Sequence, residues 1–379
     1  MEMRRRTSST PGARRLSIGY DTENQRPEWE ALIRLCAAVI LAAMLAGGAA
    51  SAADLSFLNH GHPVLDAHNC YPYDGLWNDR IHRALDSGFP VSIEQDLAWY
   101  VDPKTGKGRV VVSHTPTPTG REPTLRAYFF EQVRPIVEEA LAQNRRGDWP
   151  LIILHFDFKD TRPEILHAVW QLLGEYQPWL STAVKTADPH RLAPITRRPI
   201  LVVTEDSDAQ AKVFDDDVPV GARLRVFGSA HTHAPPPGAT PAQIAHWEAT
   251  APPSELLTTR ATDYRRWWNN SWWIVEEGGQ TRAGAWTKAD DRRLRALVDY
   301  AHQQGYWIRF YTLDGFNAKQ DRGWDAIYNF GSMRRVIPRW RAAIDAGVDF
   351  IATDQEEALS RYLHQRDQAL RPLETTVGP

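Results

Sequence analysis

Eight short runs of apolar and β-branched residues recur along the chain, with helical spacing in several of the gaps between them. The runs are Val64–His68, Val91–Leu97, Leu151–Asp157, Ile200–Thr204, Arg225–Ser229, Trp272–Val275, Ile308–Leu313 and Phe350–Thr353. Strands that alternate with helices need crossover connections, which make the sheet parallel. Eight such units suit a sheet that closes on itself, so the sequence predicts an α/β fold of the TIM-type (β/α)8 barrel class.

Five of the gaps have the apolar periodicity of helices. They are Leu76–Ser87, Leu125–Gln143, Pro163–Tyr176, Ala289–Gln304 and Gly331–Ala346. A further β-rich run, Val110–His114, follows the second strand with no helical pattern between them, and we expect it to pack beside the upper end of that strand. The pattern predicts one barrel domain over residues 54–370 and a disordered polar tail over residues 371–379.

The first 53 residues differ from the rest of the chain. Arginine clusters at residues 4–6 and 14–15 precede an apolar run over residues 35–50, and small residues follow up to Ala53. This order is typical of a secretory signal peptide with a long basic leader, which predicts an exported protein, periplasmic or secreted. The alternative is an uncleaved membrane anchor, although the apolar run does not clearly reach the roughly 20 residues of a spanning helix.

The charge of the chain excludes one class of partner. Seven arginines and five acidic residues give the leader a charge of +2, so the remainder carries −5 of the total formal charge of −3. A mildly acidic domain lacks the basic field that drives nucleic-acid binding. We therefore expect no nucleic-acid partner, and the sequence does not allow a protein partner to be inferred.

Chemically versatile residues stand where the predicted strands end. His68 and Asn69 close the first strand, Glu94 and Asp96 share one face of the second, and His114 ends the additional run. In a (β/α)8 barrel the carboxyl ends of the strands form the functional mouth. Two bare carboxylates facing the barrel interior are costly, which indicates a bound cation or a paired base.

The third strand shows the same alternation. His155, Asp157 and Lys159 lie on one face, with large apolar residues opposite. We interpret His155 as a hydrogen-bonded structural histidine rather than a ligand. Metal-assisted cleavage of a phosphodiester requires two proton-transferring groups and oxygen ligands for a divalent cation. His68 and His114, together with the carboxylates, meet this requirement.

With these residues placed, the chain resembles the phosphodiesterase superfamily that includes phosphatidylinositol-specific phospholipase C, glycerophosphodiester phosphodiesterase and sphingomyelinase D. Leu65–Asn69 is similar to the histidine-asparagine start of the first group, and Ile93–Trp99 to the metal-binding Glu-x-Asp of all three. Val112–His114 matches the position of a second catalytic histidine. The resemblance runs from about Val64 to Asp354.

Two further segments carry the resemblance, and one departs from it. Asp157 and Lys159 are similar to the metal-binding aspartate and phosphate-contacting lysine of sphingomyelinase D, while residues 347–354 resemble the last strand of glycerophosphodiester phosphodiesterases. The latter family begins with His-Arg-Gly, whereas this chain has histidine, asparagine and cysteine at residues 68–70. The pattern is nearest to a branch of the superfamily apart from these three groups.

The resemblance implies a metal-dependent phosphoric diester hydrolase that acts on a glycerophosphodiester or a phospholipid head group. It implies His68 and His114 as catalytic acid and base, with either able to take either role, and Lys159 as a phosphate contact. One Ca²⁺ or Mg²⁺ is expected on a set of four ligands. These are Glu94, Asp96, Asp157 and Asn69. A phospholipid substrate would also bring peripheral contact with a membrane.

Two other functions remain open at the level of sequence. A glycoside hydrolase would use Glu94 and Glu276 as its two carboxylates, with tryptophans as sugar platforms. A non-catalytic lipid- or ligand-binding barrel would keep the fold without the chemistry. The aromatic stretch Trp267–Trp273 fits either the lining of a lipid or sugar pocket or simple packing of the barrel against its helices.

Overall fold

The computed structural model describes residues 57–58, 62–72, 78–315 and 328–370. All of them belong to one compact unit that spans residues 50–379. The predicted signal peptide at residues 1–53 and the predicted tail at residues 371–379 lie outside the described residues. No helix among the described residues is long and apolar enough to cross a membrane.

The strands of the described residues form one large sheet and one small one. In chain order they are β1 (Val64–Ala67), β2 (Val91–Val101), β3 (Gly108–Val112), β4 (Ile152–Phe158), β5 (Ala183–Val184), β6 (Ile200–Thr204), β7 (Arg223–Leu224), β8 (Phe227–Ser229), β9 (Arg265–Ser271), β10 (Trp307–Tyr311) and β11 (Phe350–Thr353). The short pair β5 and β7 is antiparallel and separate.

Eight parallel strands close into a barrel. Their order is β1, β2, β4, β6, β8, β9, β10 and β11, and β11 pairs again with β1. The closing ladder aligns Val64 with Phe350 and Ala67 with Thr353. The predicted TIM-type (β/α)8 barrel is thus confirmed.

Helices pack around the barrel between its strands. They are α1 (Arg80–Asp86), α2 (Glu131–Gln143), α3 (Pro163–Glu175), α4 (Asp208–Ala211), α5 (Pro241–Thr250), α6 (Pro253–Leu256), α7 (Gly279–Arg282), α8 (Lys288–Gln303), α9 (Met333–Ala346) and α10 (Glu356–Leu370). Local sequence sets their ends: the side chains of Thr287 and Asp290 form a capping box at the start of α8. Gly347 ends α9 in the left-handed conformation, with φ of 81°.

The predicted sixth strand, Trp272–Val275, is wrong. The strand there is β9, Arg265–Ser271, and Trp272–Ile274 forms a 3-10 turn that begins where the Ser271 side chain accepts a hydrogen bond from the backbone of Trp273. The aromatic residues at 272 and 273 have high β propensity, but the serine cap ends the strand before them. Elsewhere the predicted strands and helices match to within a few residues, and Leu76 and Trp77 lie outside the described residues.

The additional run after the second strand forms β3. It pairs antiparallel with the last five residues of β2, from Leu97 opposite Val112 to Val101 opposite Gly108. The expected place beside the upper end of β2 is confirmed. β2 and β3 together form a hairpin at the carboxyl end of the barrel.

Candidate active site

A cavity of about 730 Å³ opens at the carboxyl ends of the barrel strands. Its walls carry most of the residues singled out by the sequence. The lining residues are His68, Asn69, Glu94, His114, Asp157, Lys159, Glu205, Asn269, Arg309, Tyr311, Thr312, Asp314, Tyr328 and Asp354. The barrel therefore brings six of the seven predicted site residues to one cavity, and the seventh, Asp96, lies buried beside Asp157.

Three carboxylates meet at one side of this cavity. Glu94 and Asp96 lie two positions apart on β2, so their side chains share one face of the strand. The register of β2 with β4 places Asp96 opposite Asp157. One oxygen from each of the three lies within 4.8 Å of the others. No hydrogen-bond donor of the described residues reaches Asp96 Oδ1, which is buried. A buried carboxylate oxygen without a donor, beside two more carboxylates, fits a hard divalent cation.

The ammonium group of Lys159 lies between two of these carboxylates. Its Nζ is 2.9 Å from Asp96 Oδ2 and 2.7 Å from Asp157 Oδ2. Burial lowers the pKa of Lys159, but the two carboxylates outweigh burial and raise it. Burial and the charge of Asp157 raise the pKa of Asp96 well above its usual range. The lysine thus supplies a positive charge that these acids need.

His68 lies between two buried carboxylates. Its Nδ1 is 3.0 Å from Asp354 Oδ1, and its Nε2 is 3.6 Å from Glu94 Oε2. Burial lowers the pKa of His68, but Glu94 and Asp354 outweigh burial and raise it to about 9. Asp354 thereby fixes the orientation of the ring and leaves Nε2 directed toward the cavity side of Glu94.

Asn69 contacts both Glu94 and the hydroxyl of Tyr71. It adopts a left-handed backbone with φ of 52°, which asparagine tolerates better than most residues. Its backbone N–H donates to Glu94 Oε2 at 2.7 Å. Its side-chain oxygen lies 2.6 Å from the hydroxyl of Tyr71, and the same hydroxyl lies 2.8 Å from Asp96 Oδ2. The single proton of that hydroxyl can be donated to either oxygen. Asn69 is thus placed among the carboxylates.

His114 stands at the exposed rim of the cavity, just after β3. Its ring stacks on Tyr71, with 6.4 Å between the ring centroids. Partial burial and the nearby charge of Lys159 lower the pKa of His114. The two imidazoles predicted to be catalytic therefore share one cavity with the three carboxylates, and their pKa values are shifted in opposite directions.

A polar network that the sequence analysis largely missed lies under the site. Arg309 on β10 is buried, forms a close ion pair with Asp66 and donates from Nη1 to Asn269 Oδ1 at 2.8 Å. His155 contacts Glu205 at 2.8 Å through Nε2 and lies 3.5 Å from Glu94 Oε1 through Nδ1. The structure thus places His155 in hydrogen-bonding contact, as its interpretation as a structural histidine requires.

Glu94, His155 and Glu205 form a second group whose ligand atoms lie within 4.8 Å of one another. The imidazole, however, contacts the two glutamates through opposite nitrogens. The Nη2 of Arg309 is 3.6 Å from the same Glu94 oxygen that faces His155. The group of Glu94, Asp96 and Asp157 offers only oxygen ligands, which a hard divalent cation prefers, so we assign that group as the metal candidate.

A second carboxylate supports Asp354. Asp314 Oδ1 accepts hydrogen bonds from the backbone N–H of Asp354 at 2.7 Å and from the hydroxyl of Thr353 at 2.6 Å. Burial and the charge of Asp354 raise the pKa of Asp314 to about 7. Asp314 directly follows the predicted strand Ile308–Leu313, so the strand-end signal that marked the other site residues was available for it.

The carboxylate pair of the glycosidase alternative does not assemble. Glu276 is buried, pairs with Arg339 at 2.6 Å and accepts a hydrogen bond from the indole of Trp272. It is not a lining residue of the cavity that contains Glu94. Trp267, Trp268 and Trp272 are fully buried, so these tryptophans of the aromatic stretch pack the core rather than line a pocket.

Comparisons with known proteins give a distant likeness. No family model matches the chain, and no curated protein matches it. Among solved structures, a calcium-dependent phosphoinositol-specific phospholipase C from a Gram-negative Pseudomonas species is similar, with a TM-score of 0.40 and 14% sequence identity. The match covers 82% of this chain and 96% of that one. A likeness this distant carries no argument about activity, so function rests on the geometry of the site.

Proposed function

We propose that the protein is a metal-dependent phosphoric diester hydrolase that acts on a glycerophosphodiester or a phospholipid head group. The observation that carries the proposal is the meeting of two imidazoles and three carboxylates in one cavity: His68 and His114 with Glu94, Asp96 and Asp157. Phosphodiester cleavage needs a proton acceptor, a proton donor and compensation for the negative charge of the phosphate. This cavity offers all three.

Glu94, Asp96 and Asp157, with the amide oxygen of Asn69, would hold one divalent cation. Oxygen ligands suit Ca²⁺ or Mg²⁺. Such a cation, when bound, neutralises negative charge on a nonbridging phosphate oxygen. The orphaned oxygen of Asp96 and the close approach of the three acids support this assignment.

His68 and His114 transfer the protons. Asp354 holds Nδ1 of His68, so that Nε2 is the nitrogen that exchanges a proton with the reacting groups. His114, across Tyr71 from the carboxylates, supplies the second imidazole. One ring takes the proton of the nucleophile while the other donates to the leaving oxygen, and each transfer typically contributes about 10²–10⁴-fold.

Lys159 would contact the phosphate. Its side chain is 21% exposed, and its ammonium lies beside Asp96 and Asp157 at the cavity wall. A cation bound to those acids would take over the compensation of their charge, which frees the ammonium to pair with a phosphate oxygen. A substrate hydroxyl next to the phosphate would give a cyclic product, whereas attack by water would give a linear one.

Product analysis by mass spectrometry tests the proposal. The full-length protein is incubated with a panel of glycerophosphodiesters and phospholipids, with EDTA and after addition of Ca²⁺ or Mg²⁺. His68→Ala is compared with His302→Ala, because His302 also pairs with a buried aspartate but lies away from the cavity. Circular dichroism verifies that both variants fold.

We expect cleavage that requires the cation, falls at least about 10²-fold in His68→Ala and persists in His302→Ala. Turnover that is indifferent to EDTA would refute the metal. Absence of turnover across the panel, in a folded protein that binds Ca²⁺, would favour the non-catalytic barrel instead.

We also propose that the protein is exported. The support comes from the sequence of residues 1–53 alone, with its basic leader, apolar run and small residues. The amino-terminal sequence of protein recovered from the producing cells tests this. A mature terminus near Ala53 is expected, and an intact leader on cytosolic protein would contradict export.

A further inference from the structure

We propose that the β2–β3 hairpin is a docking surface for an anionic phospholipid membrane. The proposal rests on the proposed function, since a hydrolase of lipid head groups must bring its cavity to the bilayer surface. The hairpin is defined here as residues 98–111 together with the adjoining loop 117–122.

The hairpin extends beyond the rim of the barrel. β2 pairs with β4 only as far as Leu97, and from Ala98 to Val101 its sole strand partner in the described residues is β3. Four residues at about 3.3 Å each, on a tilted strand, carry the turn roughly 10 Å past the rim. The returning strand leads directly to His114 at the cavity. The hairpin therefore stands beside the cavity, on its open side.

Aromatic side chains make the hairpin a fixed structure. Trp99 lies over Gly108, where an added Cβ would come within 2.0 Å of the indole. Tyr100 covers Gly120 in the same way. The guanidinium of Arg109 lies 4.6 Å from the centroid of the Tyr100 ring and donates to the carbonyl of Gly120 at 2.6 Å. These contacts tie loop 117–122 to the hairpin, so one preformed surface includes both.

This surface is basic on a chain that is acidic overall. Residues 99–123 contain four basic residues, Lys104, Lys107, Arg109 and Arg121, and two acidic ones. Among the described residues, no carboxylate forms an ion pair with Lys104, Lys107 or Arg121, and all three are exposed.

The two acids of the hairpin are engaged in local turns. Asp102 accepts from the backbone of Lys104 and Thr105. Glu122 accepts from the backbone of Thr119 and Gly120. These hydrogen bonds direct Asp102 Oδ1 and both oxygens of Glu122 to backbone donors, and neither acid forms an ion pair with the two lysines or with Arg121.

An apolar side chain lies among these charges. Val101 is 44% exposed at the end of β2, next to the turn that carries Lys104 and Lys107. A raised surface with basic residues around an exposed apolar side chain matches the interface of an anionic bilayer, where phosphates meet the acyl boundary. A soluble polyanion would use the charge but not the valine, so we assign the membrane.

Vesicle co-sedimentation tests the assignment. The full chain carries His68→Ala to prevent turnover. The vesicles contain phosphatidylcholine alone, or phosphatidylcholine with about 30% phosphatidylserine. The test variant adds Lys104→Gln, Lys107→Gln and Arg121→Gln. A matched control replaces three exposed arginines that precede barrel strands at the opposite end, namely Arg145→Gln, Arg191→Gln and Arg260→Gln.

We expect binding to the anionic vesicles only. Each basic residue near such a surface contributes about five-fold to binding, so the hairpin variant should bind roughly 100-fold more weakly, and the control should stay close to the parent. A milder change, Val101→Ser, should weaken binding by a few-fold.

Unchanged binding in the hairpin variant, or equal loss in the control, would overturn the proposal. So would failure of the folded parent to bind anionic vesicles, or complete competition by heparin with no effect of Val101→Ser. Binding is measured without turnover, so a positive result stands even if no diester is hydrolysed, and the two proposals fail separately.

Discussion

Two histidine–aspartate pairs flank β11, one at each end of the strand. At the amino end, Asp349 accepts from the backbone N–H of Ile308 at 2.8 Å and contacts His302 Nε2 at 2.9 Å. At the carboxyl end, Asp354 contacts His68 Nδ1 at 3.0 Å. Both aspartates are buried. A histidine and an aspartate therefore meet at similar distances at the two opposite ends of one strand.

Their surroundings give the two pairs different properties. Burial raises the pKa of Asp349, and only His302 and one backbone donor oppose that effect. Burial also raises the pKa of Asp354, but His68, Arg80 and Asn69 outweigh burial and lower it. A pair at the closed end serves as a structural clamp, whereas the pair at the mouth belongs to a charged network. The residue types alone do not distinguish a structural pair from a functional one.

The largest contrast should appear in activity. Asp354→Asn removes the acceptor that orients His68, and we expect kcat/KM to fall about 10²-fold or more, while Asp349→Asn stays near the parent. Removing the negative charge also lowers the pKa of His68, so the limb of the pH–rate profile that belongs to this ring should move to lower pH. Equal losses in both variants would erase the distinction between the two ends.

Metal binding should separate the ends next. Excess Ca²⁺ at about 100 times its Kd stabilises a folded protein by roughly 2.7 kcal/mol. We expect Tm to rise with Ca²⁺ in the parent and in Asp349→Asn, and to stay unchanged in Asp157→Asn. Differential scanning calorimetry with EDTA as the reference measures this. A full Ca²⁺ response in Asp157→Asn would place the cation elsewhere.

Stability should be sensitive at the closed end. Asp349→Ala leaves the N–H of Ile308 and the imidazole of His302 without their buried acceptor. The loss of such an acceptor costs about 1–3 kcal/mol in the free energy of unfolding, which urea titration in EDTA measures. Asp349→Asn, which retains an acceptor oxygen, is the matched control and should lose less. A neutral effect of the alanine variant would refute the clamp.

The last prediction concerns pH. The folded pKa of Asp314 is about 7, above the roughly 4 of an unfolded chain, so its neutral form favours the folded state. That contribution is complete below pH 4 and is lost as pH rises through 7. Asp314→Asn imitates the neutral form. Its stability relative to the parent, measured in EDTA, should therefore rise between pH 5 and pH 8, by about 1.4 kcal/mol for each pH unit up to the folded pKa.

A relative stability of Asp314→Asn that stays flat or falls over this range would show that the carboxylate is accommodated as an anion. The control is Asp160→Asn, which changes an aspartate paired with Arg162 outside this network. For that variant we expect no rise with pH.

The barrel was predictable because each strand carries its own signal. Short β-rich runs between helical stretches require parallel strands, and neither step depends on distant contacts. The prediction of the sixth strand failed because two local signals conflict. Trp272 and Trp273 have high β propensity, whereas Ser271 caps a 3-10 turn. The short strands β5 and β7, of two residues each, have too few positions for a periodic pattern.

The site was predictable where residues fall at strand ends. His68, Glu94, Asp157 and Lys159 reach one cavity because the carboxyl ends of parallel strands meet. Arg309 has the same alternation between Ile308 and Phe310 that marked Glu94, so this signal was available.

Asp314 and Asp354 also directly follow predicted strands and were missed, although the partners of these and of other site residues could not be inferred. The contact of Asp354 with His68 depends on closure of β11 against β1, and no local pattern encodes that pairing. The position of Asp314 depends on a loop after β10. Whether His155 meets Glu205 depends on the register between β4 and β6.

The ladder between β1 and β11 has a kinetic consequence. Next to this ladder, His68 contacts Asp354, which lies 286 positions further along the chain. The backbone N–H of His68 also donates to the carbonyl of Thr353. Contacts of such long range form late, because a long loop must close before they contribute. The orientation of His68 by Asp354 thus does not exist until the last strand docks, so a chain that is still incomplete or only partly folded lacks the ring orientation on which the proposed activity depends.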